Sequence, residues 1–240
     1  MTWVLGLDVC PDGWAGIAWD GSDVVGVFGS DIGEVLALSL ESLAARGAPG
    51  PDVVGIDIPI GLPDRSVRAA DIMARREVGR LASAVFTTPI RAAVEAAEYA
   101  DALGASRSAI GMGLSRQAFG LREKILQVDV LVRGGWPLDG RVAEVHPEVS
   151  FAEMAAEPLG ISKHRWGGAQ RRRALLAARG LDLEGGDADV EALDRHAGVA
   201  DVLDAAAVAW TAMRIATGRA RCLPDPPEVF SDGWPAAIWV

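Results

Sequence analysis

Several acidic residues in this chain are placed where their carboxylates could act together. Each one ends an apolar run or interrupts a long apolar stretch; they are Asp8, Asp57, Glu144, Asp201 and Asp204. Carboxylates that converge repel one another unless one of them is protonated or a hard divalent cation, Mg²⁺ or Mn²⁺, binds their oxygens. A pair of such ions can support hydrolysis of a phosphodiester bond. The spacing therefore indicates either a metal site or general acid–base chemistry.

Apolar runs separated by turn signals predict the elements that carry the first two acids. Strands are predicted at residues 3–7, 14–19 and 24–28, and a helix that Asp31 caps follows them up to about Arg46. A fourth strand is predicted just before Asp57. Because strand–helix–strand crossovers are right-handed and parallel neighbours lie ~4.8 Å apart, we expect the first and fourth strands to pair and to bring Asp8 and Asp57 together.

The rest of the chain is predicted to be mostly helical, with one further strand at residues 141–145. The predicted helices cover residues 67–83, 90–103, 116–133, 149–156, 168–179 and 199–217. A polar loop is expected at residues 185–189, and a Pro-rich segment at 224–227 leads to a short terminal apolar run. We expect a single domain over residues 1–240, with residues 64–135 as a helical insertion.

Composition excludes several classes of protein. Lys and Arg number 23 against 33 Asp and Glu, so the net charge of −10 disfavours non-specific binding to duplex nucleic acid. The two cysteines form neither a disulfide framework nor a zinc motif, and no apolar run is long enough to span a membrane. The start has neither a basic leader nor a long apolar core, so we expect a cytoplasmic protein without a signal peptide. Nucleotide-binding Gly-rich motifs and the GxSxG motif are absent from the sequence.

Further polar residues could contact a substrate: His146, Glu148, Ser115, Gln117, Lys163 and Arg91. Each also has a structural interpretation. Glu144, His146 and Glu148 alternate by two and could form a hydrogen-bonded strand end, although Pro147 interrupts that strand. Ser115 could cap a helix whose first turn holds Gln117.

Two basic clusters could contact phosphate beside an acidic site. One comprises residues 163–165 and 171–173, and the other comprises Arg75, Arg76, Arg80 and Arg91. A solvated helix surface is the simpler interpretation of the first cluster. The eight tryptophans are scattered and are interpreted mainly as packing residues.

Several segments resemble the family known as domain-of-unknown-function 429, described as predicted ribonuclease H-like nucleases. They are Val4-Leu5-Gly6-Leu7-Asp8 with Gly13-Trp14, Ile56–Pro63, Ser83–Pro89, Glu144–Glu148, Asp201–Ala205 and Leu223–Asp225. The resemblance implies an α/β fold with a ribonuclease H-like mixed five-stranded sheet, a helical insertion and C-terminal helices. It also implies an acid layout similar to that of Holliday-junction resolvases, with Asp8 on the first strand, Asp57 on the fourth, and Asp201 and Asp204 on the last helix. Family members often carry another acid where this chain has Ala200, so the choice between Asp201 and Asp204 stays open.

The leading hypothesis is a Mg²⁺- or Mn²⁺-dependent nuclease that acts on short or single-stranded nucleic acid. Asp8, Asp57 and Asp204 would be metal ligands, and Asp201 or Glu144 would complete the shell. One alternative is a non-catalytic binding or oligomerising module with structural acids. Another is a sugar-kinase- or actin-like phosphotransferase, which is disfavoured because the residues after Asp8 lack the Gly-Thr/Ser pattern. The sequence leaves open the substrate, the activity and whether the chain forms a homo-oligomer.

Overall fold

A mixed sheet of seven strands organises the part of the chain that the computed structural model describes, namely residues 2–135, 138, 140–183, 193 and 195–240. The strands are β1 (Val4–Cys10), β2 (Gly13–Trp19), β3 (Val24–Gly29), β4 (Val53–Ile56), β5 (Arg141–Val145), β6 (Cys222–Val229) and β7 (Pro235–Trp239). Their order in the sheet is β3-β2-β1-β4-β5-β7-β6.

The pairing of β1 with β4 confirms the expected parallel crossover. Leu7 of β1 lies opposite Ile56 of β4, and β4 pairs in parallel with β5. Strands β1, β2 and β3 form an antiparallel meander on the other side. The sheet has seven strands rather than the expected five because the C-terminal residues add β7, parallel to β5, and β6, antiparallel to β7.

The Pro-rich segment lies inside a strand. Residues 224–227 belong to β6, whose register against β7 shifts between Leu223 and Glu228. Strand β6 is the last in the sheet and pairs only with β7. Proline lacks a backbone N–H, and an edge strand tolerates that loss because its outer side makes no ladder hydrogen bonds.

Helices cover both faces of the sheet and fill the insertion between β4 and β5. They are α1 (Ile32–Ala44), α2 (Ala69–Val78), α3 (Arg91–Glu95), α4 (Tyr99–Ile110), α5 (Arg116–Gly120), α6 (Arg122–Gly134), α7 (Pro147–Ala155), α8 (Trp166–Ala177) and α9 (Val199–Ala216). The predicted cap is confirmed, since the Asp31 carboxylate accepts a hydrogen bond of 2.9 Å from the Glu34 backbone N–H.

The structure breaks three predicted helices. The predicted helix 67–83 becomes α2 and a 3₁₀ helix (Gly79–Ala84), 90–103 becomes α3 and α4, and 116–133 becomes α5 and α6. At Ala96 the backbone is extended, with ψ of 133°, which ends α3 despite a helical composition. The polar loop expected at residues 185–189 lies outside the described residues.

The alternation of side chains along β1 divides the core between the two faces. Leu5 and Leu7 pack with residues of α1 and α6 on one face. Val4 packs on the other face with residues of α7, α8 and α9. Since successive strand residues point to opposite faces, Gly6 and Asp8 lie on the α9 face with Val4.

Candidate functional site

Helix α9 lies directly on β1 because Gly6 has no side chain. A Cβ atom at Gly6 would lie 2.2 Å from both the Ala205 carbonyl oxygen and the Ala209 backbone nitrogen. These small residues form the face of α9 that meets the sheet, and a glycine inside a strand allows such an approach. Asp204 precedes Ala205, so this contact places its carboxylate near the end of β1 and near Asp8.

Asp8 and Asp57 are neighbours across the parallel pair of strands. The Asp57 backbone N–H donates to the Leu7 carbonyl oxygen at 2.9 Å, which continues the ladder of β1 and β4 by one residue. The two carboxyl groups interact, since the charge of Asp57 raises the pKa of Asp8 after burial does, and Asp8 Oδ1 accepts a hydrogen bond from the Val9 backbone N–H at 2.8 Å.

Burial dominates the electrostatics of Asp8, Asp57 and Asp204, which we call the acid cluster. Burial, followed by the charges of Asp57 and Asp204, raises the pKa of Asp8 well above its usual value. Burial also raises the pKa of Asp57 to about 7 and that of Asp204 to about 6, although Lys163 opposes both shifts. The protein therefore holds more negative charge here than its own cations offset.

Lys163 is the cation that contacts the acid cluster. Its Nζ donates a hydrogen bond to Asp204 Oδ2. Burial lowers the pKa of the Lys163 ammonium, but the charges of Asp204, Asp8 and Asp57 outweigh that effect and raise it overall. The residue was expected at a basic edge, and the structure places its ammonium against the acids.

The acid cluster has the donor chemistry that Mg²⁺ or Mn²⁺ requires. All of its donors are carboxylate oxygens, and Asp204 Oδ1 is buried without a hydrogen-bond partner among the described residues. A cation there would also stabilise the charged form of these carboxylates, whose pKa values burial raises. As arranged, no three His, Cys, Asp or Glu side chains in the described part of the chain form a group that could hold a metal ion. The Lys163 ammonium occupies an Asp204 oxygen that a metal ion would need.

Asp201 lies at the edge of this cluster. Its Oδ2 accepts a hydrogen bond of 3.0 Å from the Gly198 backbone N–H, so it caps the first turn of α9. It is half-buried, whereas Asp204 is only 2% exposed. Its charge still contributes to the raised pKa of Asp8. The deeper Asp204 is therefore better placed to be a ligand.

Glu144 lies on the opposite face of the sheet from the acid cluster. It stands beside Ile56, one residue before Asp57, and strand alternation sends adjacent residues to opposite faces. Its two oxygens accept hydrogen bonds from Arg68 at 2.6 and 2.7 Å, and one also accepts from the Ile60 backbone N–H at 2.7 Å. The structure does not bring Glu144 to the other acids.

His146 and Glu148 reach the cluster from the end of β5. The strand stops at Val145 and α7 begins at Pro147, so Glu148 lies in the first turn of that helix. Its carboxylate accepts hydrogen bonds of 2.7 and 2.6 Å from Arg172 and adds negative charge near Asp57 and Asp204. Burial lowers the pKa of His146, whose Nδ1 has no hydrogen-bond partner in the described part of the chain.

The remaining predicted substrate contacts have other partners. Ser115 caps α5, since its Oγ accepts from the Ala118 backbone N–H at 3.0 Å. With Gln117 it lines a cavity of about 250 Å³ beside Phe86. Arg91 forms ion pairs with Asp129 at 3.0 Å and with Asp232 at 2.8 Å. These contacts hold the insertion together and do not involve the acid cluster.

Two positioning residues escaped the sequence analysis. Gly6 carried a usable signal, because a glycine between leucines in a strand marks a close approach of another backbone. Arg172 carried none, since it is one of three consecutive arginines. The side chain of Arg172 is fully buried and binds Glu148. No local pattern distinguishes Arg172 from its exposed neighbour Arg171.

Comparison with known proteins gives a family and no activity. A family model described as "Protein of unknown function (DUF429)" matches residues 6–229. No curated protein and no solved structure matches the chain. None of the described helices is both long enough and apolar enough to cross a membrane.

Proposed function

This chain belongs to the DUF429 family of proteins of unknown function, and we propose that it is a Mg²⁺- or Mn²⁺-dependent nuclease with a ribonuclease H-like fold. One observation carries the proposal: Asp8, Asp57 and Asp204, distant in sequence, converge in a buried site where the single ammonium of Lys163 opposes them. An unpartnered buried oxygen on Asp204 adds an available ligand atom.

The topology of the first five strands supports the ribonuclease H-like part of the proposal. An antiparallel meander is followed by a helix and by a strand that returns parallel to β1, and β5 continues the parallel series. The acids lie on β1, after β4 and on the last long helix, as the family resemblance implied. Strands β7 and β6 extend this arrangement without interrupting it.

The residues of the site would divide the chemistry among them. Asp8, Asp57 and Asp204 would hold the cation through their oxygens, and Asp201 would add negative charge at the rim. When bound, such an ion lowers the pKa of a water molecule and stabilises the leaving oxygen of a phosphodiester. Lys163 would release Asp204 and direct its ammonium at a phosphate oxygen, where positive charge stabilises the transition state.

Metal binding can be tested by thermal unfolding of the wild type in a Mn²⁺ titration. Binding to the folded state alone stabilises it by about 2.7 kcal/mol at a hundredfold excess over Kd. For a chain of this length we expect Tm to rise by about 5–10 °C. The double variant Asp8→Asn/Asp57→Asn should show no such rise, because it retains the fold but loses two ligand charges. An equal rise in both proteins, or none in the wild type, would contradict the metal site.

Hydrolysis is tested by incubating the purified protein and the double variant with a labelled oligonucleotide and Mn²⁺. We expect products from the wild type only. Products from both proteins would indicate a contaminating nuclease. If the wild type binds Mn²⁺ but cleaves neither single-stranded nor duplex substrates, the nuclease proposal fails and a non-catalytic metal-binding module replaces it.

A further inference from the structure

Trp166, the first residue of α8, is the most exposed of the large apolar side chains described. Its relative exposure is 80%, although a tryptophan can bury 150–250 Å² of surface on folding. This placement differs from the packing role expected of the tryptophans. A single exposed apolar side chain does not by itself indicate a binding site, so the interpretation of Trp166 depends on the residues around it.

Trp166 lies on the same short segment as the lysine that contacts the acid cluster. Lys163, which binds Asp204, precedes Trp166 by three residues. A chain of three residues spans at most about 11 Å, so the two Cα atoms are no farther apart than that. The segment that contacts the acid cluster through Lys163 therefore also carries Trp166.

The segment that carries Trp166 is held rigidly. Arg172 donates hydrogen bonds of 3.1 Å to the carbonyl oxygens of Ile161 and Gly168, which flank the segment, and it also binds Glu148 of α7. A Cβ atom at Gly168 would lie 2.0 Å from the Ser162 carbonyl oxygen, so the loop packs tightly onto the start of α8. An exposed aromatic ring on a fixed support loses little conformational entropy when it binds a ligand.

The same segment is basic in an acidic protein. Residues 158–181 contain six of the 23 Lys and Arg residues and no Asp or Glu, whereas the whole chain carries a net charge of −10. His164, Arg165 and Arg171 are exposed and lie within five residues of Trp166 in the sequence. The positive charge of this segment is complementary to that of a polyanion.

We infer that His164, Arg165, Trp166 and Arg171, here called the Trp166 edge, bind a single-stranded polynucleotide and lead it to the acid cluster. An unpaired base would stack on the indole while the two arginines contact phosphates. A duplex offers no free base face inside its stack, so the edge selects single strands. The inference deepens the proposed nuclease function and rests on it for the role of the acid cluster. The binding itself can be measured without hydrolysis.

The experiment measures binding of a fluorescently labelled oligothymidylate of about 12 nucleotides by anisotropy, in EDTA so that no divalent metal supports cleavage. We expect the wild type to bind it and Trp166→Ala to weaken binding by about 5- to 150-fold, the effect of losing one base–aromatic stack. Trp166→Phe should restore most of the affinity. Val229→Ala, which removes another exposed apolar side chain on β6, should bind like the wild type.

Salt dependence tests the arginines. For single strands, log Kd changes with log salt in proportion to the number of phosphates contacted. Arg165→Gln and Arg171→Gln should each reduce that slope by about 0.7, whereas Arg107→Gln, which changes an exposed arginine on α4, should leave it unchanged.

Three results would overturn the inference: no binding by the wild type, equal affinity of the wild type and Trp166→Ala, or tighter binding of a duplex than of the single strand. A wild-type dimer in sedimentation that Trp166→Ala dissociates, with oligonucleotide affinity unchanged, would assign the edge to a second copy of the chain. Binding without Mn²⁺-dependent cleavage would leave the Trp166 edge standing and refute only the nuclease proposal.

Discussion

Buried carboxylates in this protein are compensated in two different ways. Glu144 and Glu148 each accept two hydrogen bonds from a buried arginine, Arg68 and Arg172 respectively. The three carboxylates of the acid cluster instead share Lys163. A buried charge that loses its partner destabilises the fold, and carboxylates without enough positive charge beside them leave a site that an added cation can occupy.

The raised pKa values predict how the stability of the metal-free protein depends on pH. Asp57 has a folded-state pKa of about 7 against an unfolded value near 3.9, so its favourable contribution is complete below about pH 4 and is lost as pH rises through 7. The pKa of Asp204 is raised to about 6, so its contribution is lost in the same way as pH rises through 6. We expect the free energy of unfolding of Asp57→Asn, relative to wild type, to increase between pH 4 and pH 8 in EDTA.

The measurement is urea unfolding of both proteins at several pH values. Asp52→Asn, which changes an exposed aspartate just before β4, serves as the control for loss of a carboxyl group outside the acid cluster. A difference for Asp57→Asn that stays constant or decreases with pH would show that Asp57 is not held in a destabilising environment.

At the scale of elements, the contact between α9 and β1 determines the geometry of the site. Gly6 on the strand and Ala205 and Ala209 on the helix remove the side chains that would separate the two backbones. Gly55 repeats the arrangement on β4, since a Cβ atom there would lie 2.7 Å from Val208 Cγ1. Helix α9 can therefore rest across both strands and bring Asp204 to Asp8 and Asp57.

A methyl group at position 6 should separate these elements. In Gly6→Ala the new Cβ would lie 2.2 Å from backbone atoms of α9, which cannot rotate away as a side chain could. We expect a loss of about 1–3 kcal/mol in the free energy of unfolding, typical of overpacking, together with weaker stabilisation by Mn²⁺. Urea unfolding and the Mn²⁺-dependent Tm measure the two effects.

Gly104→Ala is the matched control. Gly104 lies inside α4, is exposed, and a Cβ atom there would meet nothing within 4 Å. Alanine in a helix interior should stabilise the protein by about 0.5–1 kcal/mol. If Gly6→Ala were as stable as the wild type, the close approach of α9 would not explain the convergence of the acids.

At the scale of the whole molecule, Arg68 joins the helical insertion to the sheet. It stands just before α2, is 1% exposed, and binds Asp71 of that helix and Glu144 of β5. It also donates to the Ile60 carbonyl oxygen at 3.2 Å, beyond the end of β4. One guanidinium thus connects three segments that the sequence separates by up to 84 residues.

Removing this guanidinium should destabilise the whole protein. Arg68→Met leaves Glu144 and Asp71 buried without their cation, a change that costs about 3–5 kcal/mol. Arg76→Met, on the exposed side of α2, should change the stability by no more than about 0.5 kcal/mol. In Arg68→Met/Glu144→Gln the loss should be smaller than in Arg68→Met, because one uncompensated charge has been removed. Urea unfolding distinguishes these outcomes, and a tolerated Arg68→Met would show that the insertion is held by other contacts.

Local patterns in the sequence determined most of the elements and one part of the site. The apolar runs predicted β1 to β5, the cap at Asp31 predicted the start of α1, and the crossover rule predicted the pairing that joins Asp8 to Asp57. These features depend on side-chain periodicity and on chain handedness, which neighbouring residues carry by themselves.

The tertiary structure alone decided which charges meet. The offset of β5 against β4 places Glu144 beside Ile56, and a shift of one residue would have moved it to the face of Asp57. Likewise, Lys163 contacts Asp204 and Arg172 is buried because α7, α8 and α9 pack on one face. Such contacts join residues far apart in the chain, so their geometry follows from the packing of complete elements and no local pattern encodes it.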